Sequence, residues 1–196
     1  MKTNKQQLLR LTGIALFTAI VIVLQLLGSF IRFGMFSISL VLLPIVIGAA
    51  VYGVGAGAWL GFVFGVAVLL SGDAATFLAI SIPGTIVTVL AKGLLAGLAA
   101  GFVYKLLAEK NKTLAAIAAA VVCPVVNTGV FLLGCATFFL DAIREWALAD
   151  FGDNVMLYMI VGLVGLNFIA ELVINLIFSP TVVYIINIGK KRFTRG

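Results

Sequence analysis

FLAISIPGTIVTVLAKGLLAGLAAGFVYKLL, residues 77–107, carries one charge, Lys92, until Lys105 marks its far end. A helix needs roughly 17–25 apolar residues to cross a hydrocarbon layer about 30 Å thick, and this stretch exceeds that. The pattern recurs along the whole chain. Of 196 residues, 63% are hydrophobic and 10% charged, against about 25% charged in ordinary soluble domains; mean hydropathy is +1.27. The sequence therefore reads as an all-α integral membrane protein with one membrane-embedded domain over residues 1–196. Its expected spans are 11–31, 36–52, 55–70, 77–107, 113–140 and 155–188. The softest boundary is Gly53-Val54-Gly55, where no charge marks a turn, and Pro83-Gly84 should break the fourth span early.

Charge sets the orientation. Ten of the 13 Lys and Arg fall at one end of the six spans: Lys2, Lys5, Arg10, Lys105, Lys110, Lys112, Lys190, Lys191, Arg192 and Arg195. The opposite loops hold Arg32 and Arg144 together with Asp73, Asp141, Glu145, Asp150 and Asp153. Basic residues favour the cytoplasmic face, so both termini are expected in the cytoplasm. The net charge of +6 is accounted for by anionic lipid headgroups, with docking of a cytoplasmic partner as the other reading, and needs no nucleic acid. The N-terminal apolar run is longer than the 7–15 residues of a signal peptide, and Gly28-Ser29 is a poor cleavage context. It reads as the first span.

Several chemistries are missing. The chain has no His and two Cys, Cys123 and Cys135, which lie about 120° apart around one helix and cannot pair there. Neither has company that suggests a metal. No Walker-type loop, HExxH or GxSxG is present, and Gly53–Ala58 lacks the strand–helix context of a phosphate loop. The chain does not read as an enzyme, no cofactor is expected, and energy for uphill transport must come from an ion or another subunit.

Small residues form stripes. Gly57, Gly61 and Gly65 repeat every four residues, as do Gly93, Gly97 and Gly101; each set makes a groove for close backbone approach, read as helix packing within the chain. Ala15 and Ala19 form another such pair in the first span, open to internal packing or to an external partner.

Polar groups at membrane depth define a candidate site. Lys92 lies about 9 residues after Pro83, and Glu171 about 16 residues into the sixth span, so at ~1.5 Å per residue both approach the bilayer centre. A lone charge there costs at least ~2.5–3.5 kcal/mol, so they should face the bundle and each other. Asn127 lies mid-span, and Asn167 and Asn175 flank Glu171 by one turn. A register-fixing ion pair and the floor of a solute pocket remain open, with a proton relay as a third reading; Gln25 suits either of the first two. The first outer loop offers Arg32, Phe33 and Phe36, and the second Asp73 and Phe77. Aromatic walls with few polar groups suit a small organic ligand, though such rings also form interfacial belts.

Six spans, termini inside, no nucleotide motif and the Ala15-Leu-Phe-Thr-Ala19 pair resemble the substrate-binding S components of energy-coupling factor (ECF) vitamin transporters. LPIVIGAAVYG, residues 43–53, and VLAKGLLAGL, residues 89–98, are similar to segments of that family, and the resemblance covers essentially the whole chain. It implies a high-affinity vitamin receptor in the plasma membrane of a bacterial cell. Its partners would be a transmembrane coupling subunit, lying against Ala15 and Ala19, and two ATP-hydrolysing subunits, with the receptor toppling in the membrane. Arg32 and Lys92 lean toward an anionic vitamin such as pantothenate; riboflavin, cobalamin and folate stay close. A self-contained secondary transporter or channel, with Glu171 and Asp73 handling protons, and a non-transporting scaffold are the competing classes.

Overall fold

A computed structural model of the chain describes residues 2–29, 32–33, 36–37 and 40–194. The side chains of Arg32, Phe33 and Phe36, and those of the basic residues Lys2 and Lys190 to Arg195, lie outside the described residues. Helix dominates. In chain order come α1 (Lys2–Gly28), a two-residue ladder of β1 (Arg32–Phe33) and β2 (Phe36–Ser37), α2 (Leu42–Tyr52), α3 (Val54–Leu70), α4 (Ala75–Ile80) and α5 (Ile82–Leu107). Then follow α6 (Lys112–Phe138), α7 (Leu140–Asp150), α8 (Val155–Leu157), a π-helical turn over Tyr158–Leu163, and α9 (Gly165–Thr194).

By length and composition, four helical segments can cross a membrane: Lys5–Gly28, Ile82–Leu107, Lys112–Phe138 and Gly165–Ile186. The second and third expected spans coincide with shorter apolar helices, of 11 residues in α2 and 17 in α3. The second begins at Leu42 rather than 36. Residues 36–37 instead pair antiparallel with 32–33, in the register Arg32↔Ser37 and Phe33↔Phe36, which satisfies backbone groups that a helix would otherwise claim.

The turn between α2 and α3 is the single residue Gly53, at φ 96°, a conformation that side-chain-bearing residues rarely adopt. The break before α5 corrects the expectation at Pro83-Gly84. It falls at Ser81, which is extended (φ −150°, ψ 106°), and its Oγ accepts from the Gly84 N–H at 3.3 Å. Proline is tolerated in a first helical turn, where its missing N–H had no intrahelical partner to lose. Pro83 therefore sits inside the start of α5, and the serine cap does the breaking. The fifth expected span, 113–140, coincides with α6, which ends at Phe138 ahead of the amphipathic α7, and the sixth is interrupted by the π turn.

The expected packing role of the glycine stripes is seen directly. Gly57, Gly61 and Gly65 of α3 run antiparallel against Gly97, Gly93 and Val89 of α5, so that a Cβ added at any of the three would collide with the facing carbonyl oxygen. With no side chains between them, the two backbones approach as closely as helices can. Around this pair, one apolar cluster joins Val21, Ile45, Leu60, Phe64, Ala96, Ala119 and Ile186. A second joins Phe77, Phe131, Cys135, Phe139, Ile143 and Tyr158. Phe77 meets Phe131, Phe139 and Trp146 edge to face, with centroids 5.5, 5.0 and 5.9 Å apart, and so ties α4 to α6 and α7.

Ala15 and Ala19 face outward. They share α1 with Leu8, Leu11 and Leu16, each at least 60% exposed, so neither alanine is consumed by packing within the chain.

Candidate functional site

Between the two apolar clusters lies a cavity of about 80 Å³, several times the ~10–15 Å³ that one water requires. Helix periodicity explains how it is lined. Residues four apart share a helix face, and four helices each turn such a pair inward: Phe64 and Val68 from α3, Thr88 and Lys92 from α5, Asn127 and Phe131 from α6, Asn167 and Glu171 from α9. Gln25 of α1, Asp73, Phe77 of α4, Phe139 and Leu163 of the π turn complete most of the remaining wall.

Seven residues singled out in the sequence thus come together: Gln25, Asp73, Phe77, Lys92, Asn127, Asn167 and Glu171. Asn175 does not join them; it is 1% exposed and its Nδ2 donates to the Glu171 carbonyl oxygen at 2.8 Å. Sequence reasoning missed Phe64, Thr85, Thr88, Thr128, Phe131, Phe139 and Phe168. A hydroxyl one turn from a membrane lysine, as Thr88 is from Lys92, was the available signal.

Lys92 dominates the electrostatics. Its Nζ lies 5.6 Å from the Phe64 ring centroid and 5.4 Å from that of Phe131, a cation held between two aromatic faces. Glu171 and Asp73 line the same cavity. Asp73 is positioned from across the fold: the Gln25 Nε2 donates to its Oδ2 at 2.6 Å and to Ser71 Oγ at 3.3 Å. This contact fastens α1 to the turn after α3.

The cavity wall also holds polar atoms that the protein leaves unused. Thr88 Oγ1, Asn127 Oδ1 and Asn167 Oδ1 are buried and find no hydrogen-bond partner among the described residues. Thr88 and Asn127 are 3% and 5% exposed. A buried polar atom without a partner costs about 1–3 kcal/mol, so three around one cavity demand a reason. Among the described residues no three His, Cys, Asp or Glu side chains gather to hold a metal. Cavity, aromatic wall and unpaired polar atoms are the attributes of a binding site for a small organic molecule.

Multi-pass apolar helices around such a cavity define a membrane-embedded binding protein. Residues 9–186 match the family model described as the ECF transporter, substrate-specific component, and the chain belongs to that family. Searches of curated proteins and of solved structures each found no match. The chain is thus a multi-pass membrane protein and the substrate-binding part of a transport system, and the expected family holds.

Proposed function

We propose that this chain is a high-affinity vitamin receptor that holds its solute in the cavity lined by Asp73, Phe77, Lys92, Asn127, Asn167 and Glu171. The first outer loop, with Arg32, Phe33 and Phe36, would cover the solute. The observation that carries this reading is the unpaired buried oxygens of Thr88, Asn127 and Asn167 beside Lys92. A lysine–glutamate pair that only fixed helix register would leave no use for them; a bound solute supplies their partners.

In this reading the chain crosses the plasma membrane of a bacterial cell six times, with both termini in the cytoplasm, as the split of basic and acidic residues suggests. α2 and α3, at about 16 and 25 Å by the helical rise, cross in a locally thinned layer. Energy comes from two ATP-hydrolysing subunits through a transmembrane coupling subunit, whose helix lies against Ala15 and Ala19. The outward face of these two alanines supports that assignment.

The test is small-molecule mass spectrometry of the purified chain, followed by a binding titration with whatever it releases. A retained solute that binds again supports the receptor. Solute flux through liposomes containing this chain alone would replace it with a self-contained secondary transporter.

A further inference from the structure

The charges on the cavity wall bear on what it can hold. Among the described residues the wall carries one ammonium, Lys92, and two carboxylates, Asp73 and Glu171, a formal charge of −1. The ammonium is already served. It lies between the rings of Phe64 and Phe131, in a wall that also carries both carboxylates. An incoming anion would compete for Lys92 and would meet two like charges on the same wall.

The unpaired oxygens point the same way. An amide carbonyl only accepts hydrogen bonds, so Asn127 Oδ1 and Asn167 Oδ1 need donors, and Thr88 Oγ1 can accept as well. Of the amide donors in the wall, Gln25 Nε2 is directed to Asp73 and Ser71. Phenylalanine rings from four parts of the fold, Phe64, Phe77, Phe131 and Phe168, give the cavity flat apolar walls.

We infer that the solute is an aromatic ring compound that bears N–H or O–H donors and carries no net negative charge. This rests on the receptor reading above and narrows it. It departs from the anionic vitamin that Arg32 and Lys92 suggest in sequence, where the sharing of one cavity by Lys92 and two carboxylates is invisible.

The experiment uses the full chain in detergent. Four probes are titrated: riboflavin, neutral and rich in hydroxyls; thiamine, a cationic aminopyrimidine; and the anions pantothenate and folate. Any solute retained through purification is identified by mass spectrometry. The expected result is a retained solute, or a tightest probe, that is neutral or cationic, with riboflavin or thiamine at least tenfold tighter than either anion. In Asn127→Leu and Asn167→Leu that probe should weaken at least tenfold while the melting temperature of the unliganded chain holds or rises, because an unpaired buried oxygen has been removed. A retained carboxylate or phosphate, or a preference for pantothenate or folate, would overturn the inference and leave the receptor reading standing. Undiminished binding in both leucine variants would overturn the donor assignment. A chain that retains nothing and binds none of the four removes the receptor reading and this inference with it. The titrations on the unaltered chain decide the charge question whether or not the variants fold.

Discussion

Gly61 and Gly93 face each other across α3 and α5 so closely that a methyl group on either would occupy the place of the other's carbonyl oxygen. Backbone cannot yield as a flexible side chain does, so Gly61→Ala must push the two helices apart. Overpacking of this kind costs about 1–3 kcal/mol. Gly55→Ala, two turns away where nothing lies within 4 Å of the added methyl, should be close to neutral. Thermal melts of the two variants in detergent give the comparison; equal melting temperatures would mean that the glycine seam bears no packing strain.

Lys92 and Glu171 should behave as a coupled pair. Removing one partner of a buried pair costs about 3–5 kcal/mol, because it strands the other. Lys92→Met and Glu171→Gln should each lower stability, and the double variant should lose less than the sum of the two. Strict additivity would show that the side chains act independently.

Ala15 and Ala19 lie on the outward face of α1, clear of the cavity wall. Ala15→Trp combined with Ala19→Trp should block uptake and co-purification with a coupling subunit, because bulky rings hold a partner helix away from a shallow groove. Solute binding and melting temperature of the isolated chain should be retained. A lost fold would return these alanines to internal packing. Uptake that persists without any partner would end the S-component assignment.

Labelling with a membrane-impermeant thiol reagent tests the orientation. Cys123 and Cys135 are both fully buried and can be replaced by alanine as background. In intact cells a cysteine at exposed Asp153 should label and one at exposed Lys110 should not. Strong labelling at 110 would invert the topology.

What the sequence made legible were the residues whose chemistry conflicts with their surroundings. Lys92, Asn127, Asn167 and Glu171 stand out because hydrocarbon penalises them, and four apolar-helix registers then bring them to one cavity. Phe64 and Phe131 were hidden for the opposite reason: phenylalanine suits lipid, core and cavity equally, and the sequence has 15. Thr85 was masked by local bonding, its hydroxyl donating to the Ser81 carbonyl oxygen at 2.7 Å, as threonine commonly does in helices. The break at Ser81 was misplaced by two residues because proline draws attention to itself, although a first-turn proline starts a helix rather than ending one. Outward-facing Ala15 and Ala19 could not be told from packed alanines, since alanine is indifferent to which side it faces.

Because α3 and α5 meet backbone to backbone over three successive turns, they form a single beam with no side-chain layer on which to slide. Lys92 and Phe64 belong to opposite halves of that beam, with the ammonium 5.6 Å from the ring centroid. Phe131 and Glu171 do not belong to it. They stand on α6, which carries Pro124 within it, and on α9, which follows the π turn and carries Pro180, helices whose hydrogen bonding is locally interrupted. The glycine seam thus sets Lys92 and Phe64 on two helices whose spacing no side-chain layer can adjust, while Phe131 and Glu171 reach the same cavity from helices outside that seam.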